Sequence, residues 1–201
     1  ILTQEIQRLE TIVEDMKKAD AQIQQRKEVL ETFGYICDSN LTEKGLLACG
    51  IHEGHPLLMS YIFVEKLIHD NPIEDLVCYL SMFLEEDEET QESQDLKEMR
   101  DYAKEILTFE TLKSPPEYWK VSEYWFEPVY EWLSGNDGVC EKYGIEYGNF
   151  VRAMLKLSNI VDEWVNMATL TQDVEMIEKC KDIRSRIVRG FVIPDSLYLR
   201  I

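Results

Sequence analysis

Between Gly148 and Thr169 the chain reads GNFVRAMLKLSNIVDEWVNMAT, and Phe150, Met154, Leu157, Val161, Trp164 and Ala168 recur at steps of four and three. That spacing places the six on one stripe of a helix roughly twenty residues long. Arg152, Lys156, Asn159, Glu163 and Asn166 keep the same rhythm on the opposite side, led by two cations. The stripe demands a cover of other apolar elements, so the chain must build a bundle around it. The polar side is expected to form an exposed ridge. By pattern alone, such a ridge is either a solvated face or a contact surface.

The remaining segments are also mostly helical in period. In residues 1–32, Leu2, Leu9, Met16, Ile23 and Leu30 repeat every seven positions, with Ile6 and Val13 completing the first heptads. The second series turns polar at Asp20 and Lys27. A seam broken in this way suits one arm of a helical hairpin, or the end of a stalk, with a homodimer as the alternative. The first residue is Ile1 rather than methionine, and a piece of a longer protein is expected.

Around Gly34 the period changes. Tyr35–Cys37 and Asn40–Leu41 are expected as short extended pieces around an Asp-Ser-Asn turn. Thr42 is placed to cap a short helix, and Pro56 to open another over about residues 56–69. A further helix, IEDLVCYLSMFLEE, starts after Pro72 and buries Ile73, Leu76, Val77, Leu80 and Leu84. Glu85–Asp95 is acidic and of low complexity, and reads as a solvated loop. A helix over about 94–108 and a break at Ser114-Pro115-Pro116 follow. Next comes a cluster of Tyr118, Trp119, Tyr124, Trp125, Phe126, Tyr130 and Trp132. Aromatic residues can stack on bases, but the helical spacing of Trp125, Val129 and Trp132 points to core. A last helix is expected from Asp173 to Arg189, its cations near the negative end of the helix dipole. The tail GFVIPDSLYLRI is apolar enough to dock as an extended strap.

Charge and chemistry narrow the function classes. A net charge of −18 opposes nonspecific attraction to nucleic acid or anionic membrane, so any nucleic-acid contact must be local. No apolar run is long enough to span a membrane, and no signal peptide opens the chain. Five scattered cysteines (37, 49, 78, 140 and 180) fit reduced thiols in an intracellular setting. Phosphate loops, dinucleotide turns and nucleophile elbows are missing. The short helix, glycine turn and long helix around Gly144 have the order of a helix-turn-helix, but not the basic face of a major-groove reader. Cys49, His52 and His55 could approach one another around HEGH, yet no fourth ligand is evident. Packing at a helix terminus is expected of them instead. No catalytic residue and no metal ligand is assigned.

Two stretches carry a family resemblance. LTEKGLLACGIHEGHPLL (Leu41–Leu58) resembles the LTxKGxxAxxI…G[DH]xLL stretch of superkiller-type, exosome-associated DExH-box RNA helicases. VIPDSLYL (Val192–Leu199) resembles the IVxxxSLYL ending of the same proteins. TFGYI, DNPIEDLVCYLSMF, EPVYEWLSG and the long helix fall between them in the family's order. The resemblance spans about residues 28–201.

It implies a mainly all-α fold: residues 1–30 as a stalk-like coiled-coil helix, 31–55 as the completion of a winged helix, and 56–201 as the C-terminal helical bundle called DSHCT. It implies that two RecA-like motor domains, with their ATP and magnesium, lie upstream, and that this fragment holds no cofactor of its own. The implied partners are single-stranded RNA, those motor domains and exosome or adaptor proteins. In that family the bundle's long helix is the ratchet helix beside the unpaired strand. Its typical arginine and glutamate match Lys156 and Asn159 here, and Arg152 matches a position that is often basic. Lysine keeps a phosphate contact but loses the forked donor of arginine. Asparagine keeps hydrogen bonding without the negative charge. An acidic interaction scaffold with no RNA contact is the alternative function.

Overall fold

The computed structural model describes residues 2–84, 96–110 and 121–193. The acidic segment Glu85–Asp95, the Ser114-Pro115-Pro116 break, Tyr118, Trp119 and most of the terminal motif lie outside these residues. Among the described residues the architecture is helical apart from one two-residue hairpin, as the periodicity predicts.

Helix α1 (Leu2–Thr32) is continuous, but its heptad seam is not packed: Ile6, Leu9, Val13, Met16 and Ile23 are exposed. Only near its C-terminus does it join the core, through Val29. Strands β1 (Ile36–Cys37) and β2 (Asn40–Leu41) pair antiparallel, Ile36 opposite Leu41. Asp38 and Ser39 both take positive φ in the connection, the conformation that matches the twist of a two-residue hairpin.

Thr42 then caps α2 (Glu43–Ala48), its hydroxyl accepting from the Gly45 amide at 3.1 Å and donating to the Gly34 carbonyl at 2.8 Å. Gly45 lets α2 lie directly against Tyr35, just before β1, and Leu41 of β2. A Cβ there would sit 2.1 Å from the Tyr35 carbonyl oxygen. The Tyr35 ring is buried, and its hydroxyl donates to the Leu57 carbonyl at 2.6 Å and bonds the Tyr102 hydroxyl at 2.7 Å. That links the hairpin to α3 (Pro56–Val64) and α5 (Lys97–Glu110).

Helix α3 starts at Pro56 as expected but ends at Val64, not 69. The Leu67 amide donates to the Ile62 carbonyl and the Lys66 amide to the Phe63 carbonyl, with Lys66 at φ 57. This is the Schellman arrangement, with lysine where glycine is usual. Helix α4 (Ile73–Leu80) is also shorter than predicted and tightens into a 3-10 turn at Ser81–Phe83. Leu76, Val77, Leu80 and Leu84 are buried as predicted, whereas Ile73 is only partly so.

Helix α6 (Phe126–Leu133) supplies Trp132 to the core, with Trp125 just before it. The Trp132 indole donates to the Ile187 carbonyl at 2.8 Å and packs edge-on to Phe150 at 5.2 Å. The reading of these aromatics as core therefore holds for Trp125, Val129 and Trp132, while Tyr130 is exposed. Helix α7 (Val139–Tyr143) leads into α8 (Tyr147–Leu170), which is the predicted long helix. All six stripe residues are buried, five of them with no exposure at all.

The predicted final helix is in fact two, α9 (Val174–Lys179) and α10 (Ile183–Ile187). Met176, Cys180, Ile183 and Ile187 are all buried, so the apolar period runs on across a backbone break. The three arginines of this region make contacts across elements. Arg186 bonds Glu74 at 2.7 Å and the Leu133 carbonyl at 3.0 Å. Arg184 pairs with Asp162, and the Arg189 guanidinium lies 3.7 Å over the Trp132 ring. After α10 the chain makes a 3-10 turn at Gly190–Val192 with Val192 buried.

Candidate nucleic-acid interface

A stripe that is wholly buried leaves the opposite side of α8 as a fixed outer ridge. Arg152, Asn159 and Asn166 are exposed there, and Lys156 is half-buried. At 1.5 Å per residue, Arg152 and Asn159 are about 10 Å apart along the axis. The Arg152 guanidinium donates to the Asn149 side-chain oxygen one turn earlier. Asn159 donates to a Glu53 carboxylate oxygen at 3.4 Å. The three residues expected to contact RNA thus share one face.

The fourth expected ridge residue does not. Glu163 is 8% exposed, and its carboxylate turns toward the segment between α2 and α3. One oxygen accepts from the His52 amide at 2.7 Å and the Glu53 amide at 2.9 Å; the other accepts from the Gly54 amide at 3.2 Å. Charge-assisted bonds to three successive amides compensate the burial of the carboxylate. The turn can come this close because residue 54 is glycine: a Cβ there would meet the Met59 sulfur at 2.6 Å. Periodicity misassigned Glu163 because the buried face is wider than six residues. Ile160 and Met167, three before and four after it, are buried too, and those flanks were the available signal.

The HEGH stretch is thereby explained residue by residue. His52, Glu53 and Gly54 give their amides to Glu163. His55 caps α3, its Nδ1 accepting from the Leu58 amide at 3.0 Å. Burial pushes the His55 pKa down to about 3, so the ring is a neutral acceptor. Cys49 and His52 are exposed, whereas His55 is buried. Among the described residues no three His, Cys, Asp or Glu side chains are gathered to hold a metal ion. Nor, among them, is any helix long and apolar enough to cross a membrane.

Sequence reasoning missed Glu53. Its backbone is fixed by Glu163, and its carboxylate borders the ridge at Asn159. Nothing in the local pattern HEGH signals this, since both contacts span more than 100 residues.

Fold and ridge together define a helical bundle organised on one long two-faced helix. The model of the DSHCT (NUC185) domain matches residues 38–194, well over half of the chain, and the chain belongs to that family. Its relatives include the Exosome RNA helicase MTR4 of Homo sapiens, 25% identical over 205 residues, which cover 92% of this chain and 20% of that protein. ATP-dependent RNA helicase mtr4 of Schizosaccharomyces pombe is 24% identical over 89% of the chain and 17% of its own length. DExH-box ATP-dependent RNA helicase DExH9 of Arabidopsis thaliana is 25% identical, again over 89% of the chain, and over 20% of its own length. The chain thus spans about a fifth of the length of the curated relatives it matches. The two sequence motifs pointed to the right family.

Proposed function

We propose that this chain is the C-terminal helical-bundle region of an ATP-dependent RNA helicase, closing the RNA channel and guiding single-stranded RNA along the outer ridge of α8. Arg152 and Lys156 contact phosphates, and Asn159 contributes hydrogen bonds. ATP and magnesium are handled by RecA-like motor domains elsewhere in the parent protein. The reading includes a role in RNA processing or decay with exosome or adaptor proteins as partners, and the name Exosome RNA helicase borne by one relative supports the exosome part. In the same reading α1 is the stalk arm and the β1–β2 hairpin with α2 completes a winged helix.

The single observation that carries the proposal is the placement of Arg152, Lys156 and Asn159 on one outer face of α8. The inner stripe of the same helix is buried, so this outer face is the one α8 offers to a passing strand. Two cations on a chain of charge −18 guide rather than grip. The test is Arg152→Ala with Lys156→Ala in the intact helicase. Unwinding falls, ATP binding is unchanged, and the salt slope of RNA binding drops by about one to two. Unwinding and RNA-stimulated ATP hydrolysis equal to wild type would overturn the proposal.

A scaffold without RNA contact is favoured by one observation, the exposed seam of Ile6, Leu9, Val13, Met16 and Ile23 on α1. It predicts protein partners bound through that seam and no RNA crosslinks to residues 147–168 in the intact protein.

A further inference from the structure

Glu53 is exposed, yet it is not free to wander. Its own amide and those of His52 and Gly54 are bonded to the buried Glu163 carboxylate. Gly54 and the His55 cap lock the next residues against Met59 and Leu58. This leaves the Glu53 side chain at the edge of α8, where a carboxylate oxygen meets the Asn159 amide. The ridge therefore carries unlike charges along its length, cationic at Arg152 and Lys156 and anionic at the Asn159–Glu53 pair, which lies about 10 Å along the helix from Arg152 and about 4.5 Å from Lys156.

Building on the RNA-guiding reading above, we infer that Glu53, reaching over from the α2–α3 turn, is a specificity-determining residue of the ridge, and that Glu163 is its positioning residue. An ionised carboxylate only accepts hydrogen bonds. It repels phosphate and selects the donors of a strand, namely the amino or imino N–H groups of bases or the ribose 2′-hydroxyl. A strand on α8 consequently places phosphates over Arg152 and Lys156 and a base edge or sugar at Asn159–Glu53. Glu163 acts at one remove: it touches no strand, but holds the turn that presents Glu53.

The experiment uses the intact helicase and fluorescently labelled single strands. An adenylate RNA run is compared with its 2′-deoxy counterpart, and with the same RNA run carrying unsubstituted purine, which lacks the 6-amino donor. Glu53→Ala is expected to shrink one of these two preferences by about three- to tenfold while affinity for the least preferred strand holds or rises. Loss on the deoxy arm assigns the 2′-hydroxyl as donor; loss on the purine arm assigns the base. Glu53→Gln, which keeps an acceptor oxygen, restores part of the preference. Glu163→Gln offers one acceptor oxygen to three amides, so it lowers the same preference and speeds deuterium exchange of residues 52–54. Arg152→Ala weakens binding to all strands alike. If Arg152→Ala weakens binding but Glu53→Ala leaves both preferences at wild-type values, this inference is overturned and the ridge reading stands. If neither variant changes binding, both fall.

Discussion

Acid should loosen this bundle at one identifiable residue, His55. Its Nδ1 accepts the Leu58 amide at the start of α3, and the side chain is 2% exposed. A protonated ring cannot accept that bond, and its charge would be buried. The ordinary pKa of 6.5 falls to about 3 in the folded chain. Between those values the unfolded chain binds more protons than the folded one, so stability rises with pH across that window and is lost as pH falls below 6.5. The slope approaches about 1.4 kcal/mol per pH unit, giving a loss at pH 5 of about 2 kcal/mol from His55 alone. In a domain of this size that is a drop of about 4–8 °C in melting temperature.

The comparison is wild type against His55→Asn, which keeps a capping oxygen and cannot take up a proton. Urea midpoints and melting temperatures are measured at pH 7.5 and pH 5. Carboxylates that also respond to acid, and His69, whose pKa burial likewise lowers, are common to both proteins and cancel in the difference. The wild type is expected to lose about 2 kcal/mol more than the variant over this range. A stability difference that does not change between the two pH values would refute the neutral, buried cap.

Two further outcomes follow from packing. Gly45→Ala drives a methyl group into the Tyr35 carbonyl at 2.1 Å and should cost at least about 2 kcal/mol; an unchanged urea midpoint would contradict the seating of α2 against Tyr35. Alkylation of the folded chain at pH 8 should modify Cys37 and Cys49, which are exposed, well before the other three. Burial pushes the Cys78 thiol up to about 12 and Cys180 to about 11, and raises Cys140. Equal labelling of all five, by mass spectrometry, would refute that burial.

Where a feature depends on contacts a few residues apart, the sequence alone was enough to find it. The inner stripe of α8, the β1–β2 hairpin, the Thr42 cap and the Pro56 helix start are of this kind. Helix ends were less legible. Helices α3 and α8 both close in Schellman motifs with Lys66 and Gln172 at positive φ, where the usual signal is glycine. The split between α9 and α10 left no trace either, because Met176, Cys180, Ile183 and Ile187 keep a helical rhythm across the break. The basic residues there looked like helix-dipole partners. Three of them instead clamp α10 and the segment after it to Glu74, Asp162 and Trp132, which no local pattern could foretell.

The candidate site divides in the same way. Arg152, Lys156 and Asn159 were placed on one outer face by the 3.6-residue period, which acts within a single helix and is written in the chain itself. Whether Glu163 joined them depended on a turn 109 to 111 residues away, and a periodic pattern carries no information about what arrives from that distance. Tertiary structure drew Glu163 inward because three backbone amides were available to solvate a buried carboxylate. It set Glu53 on the ridge in its place. Sequence determined the helix, its inner face and its family; only the folded chain decided which carboxylate borders the ridge.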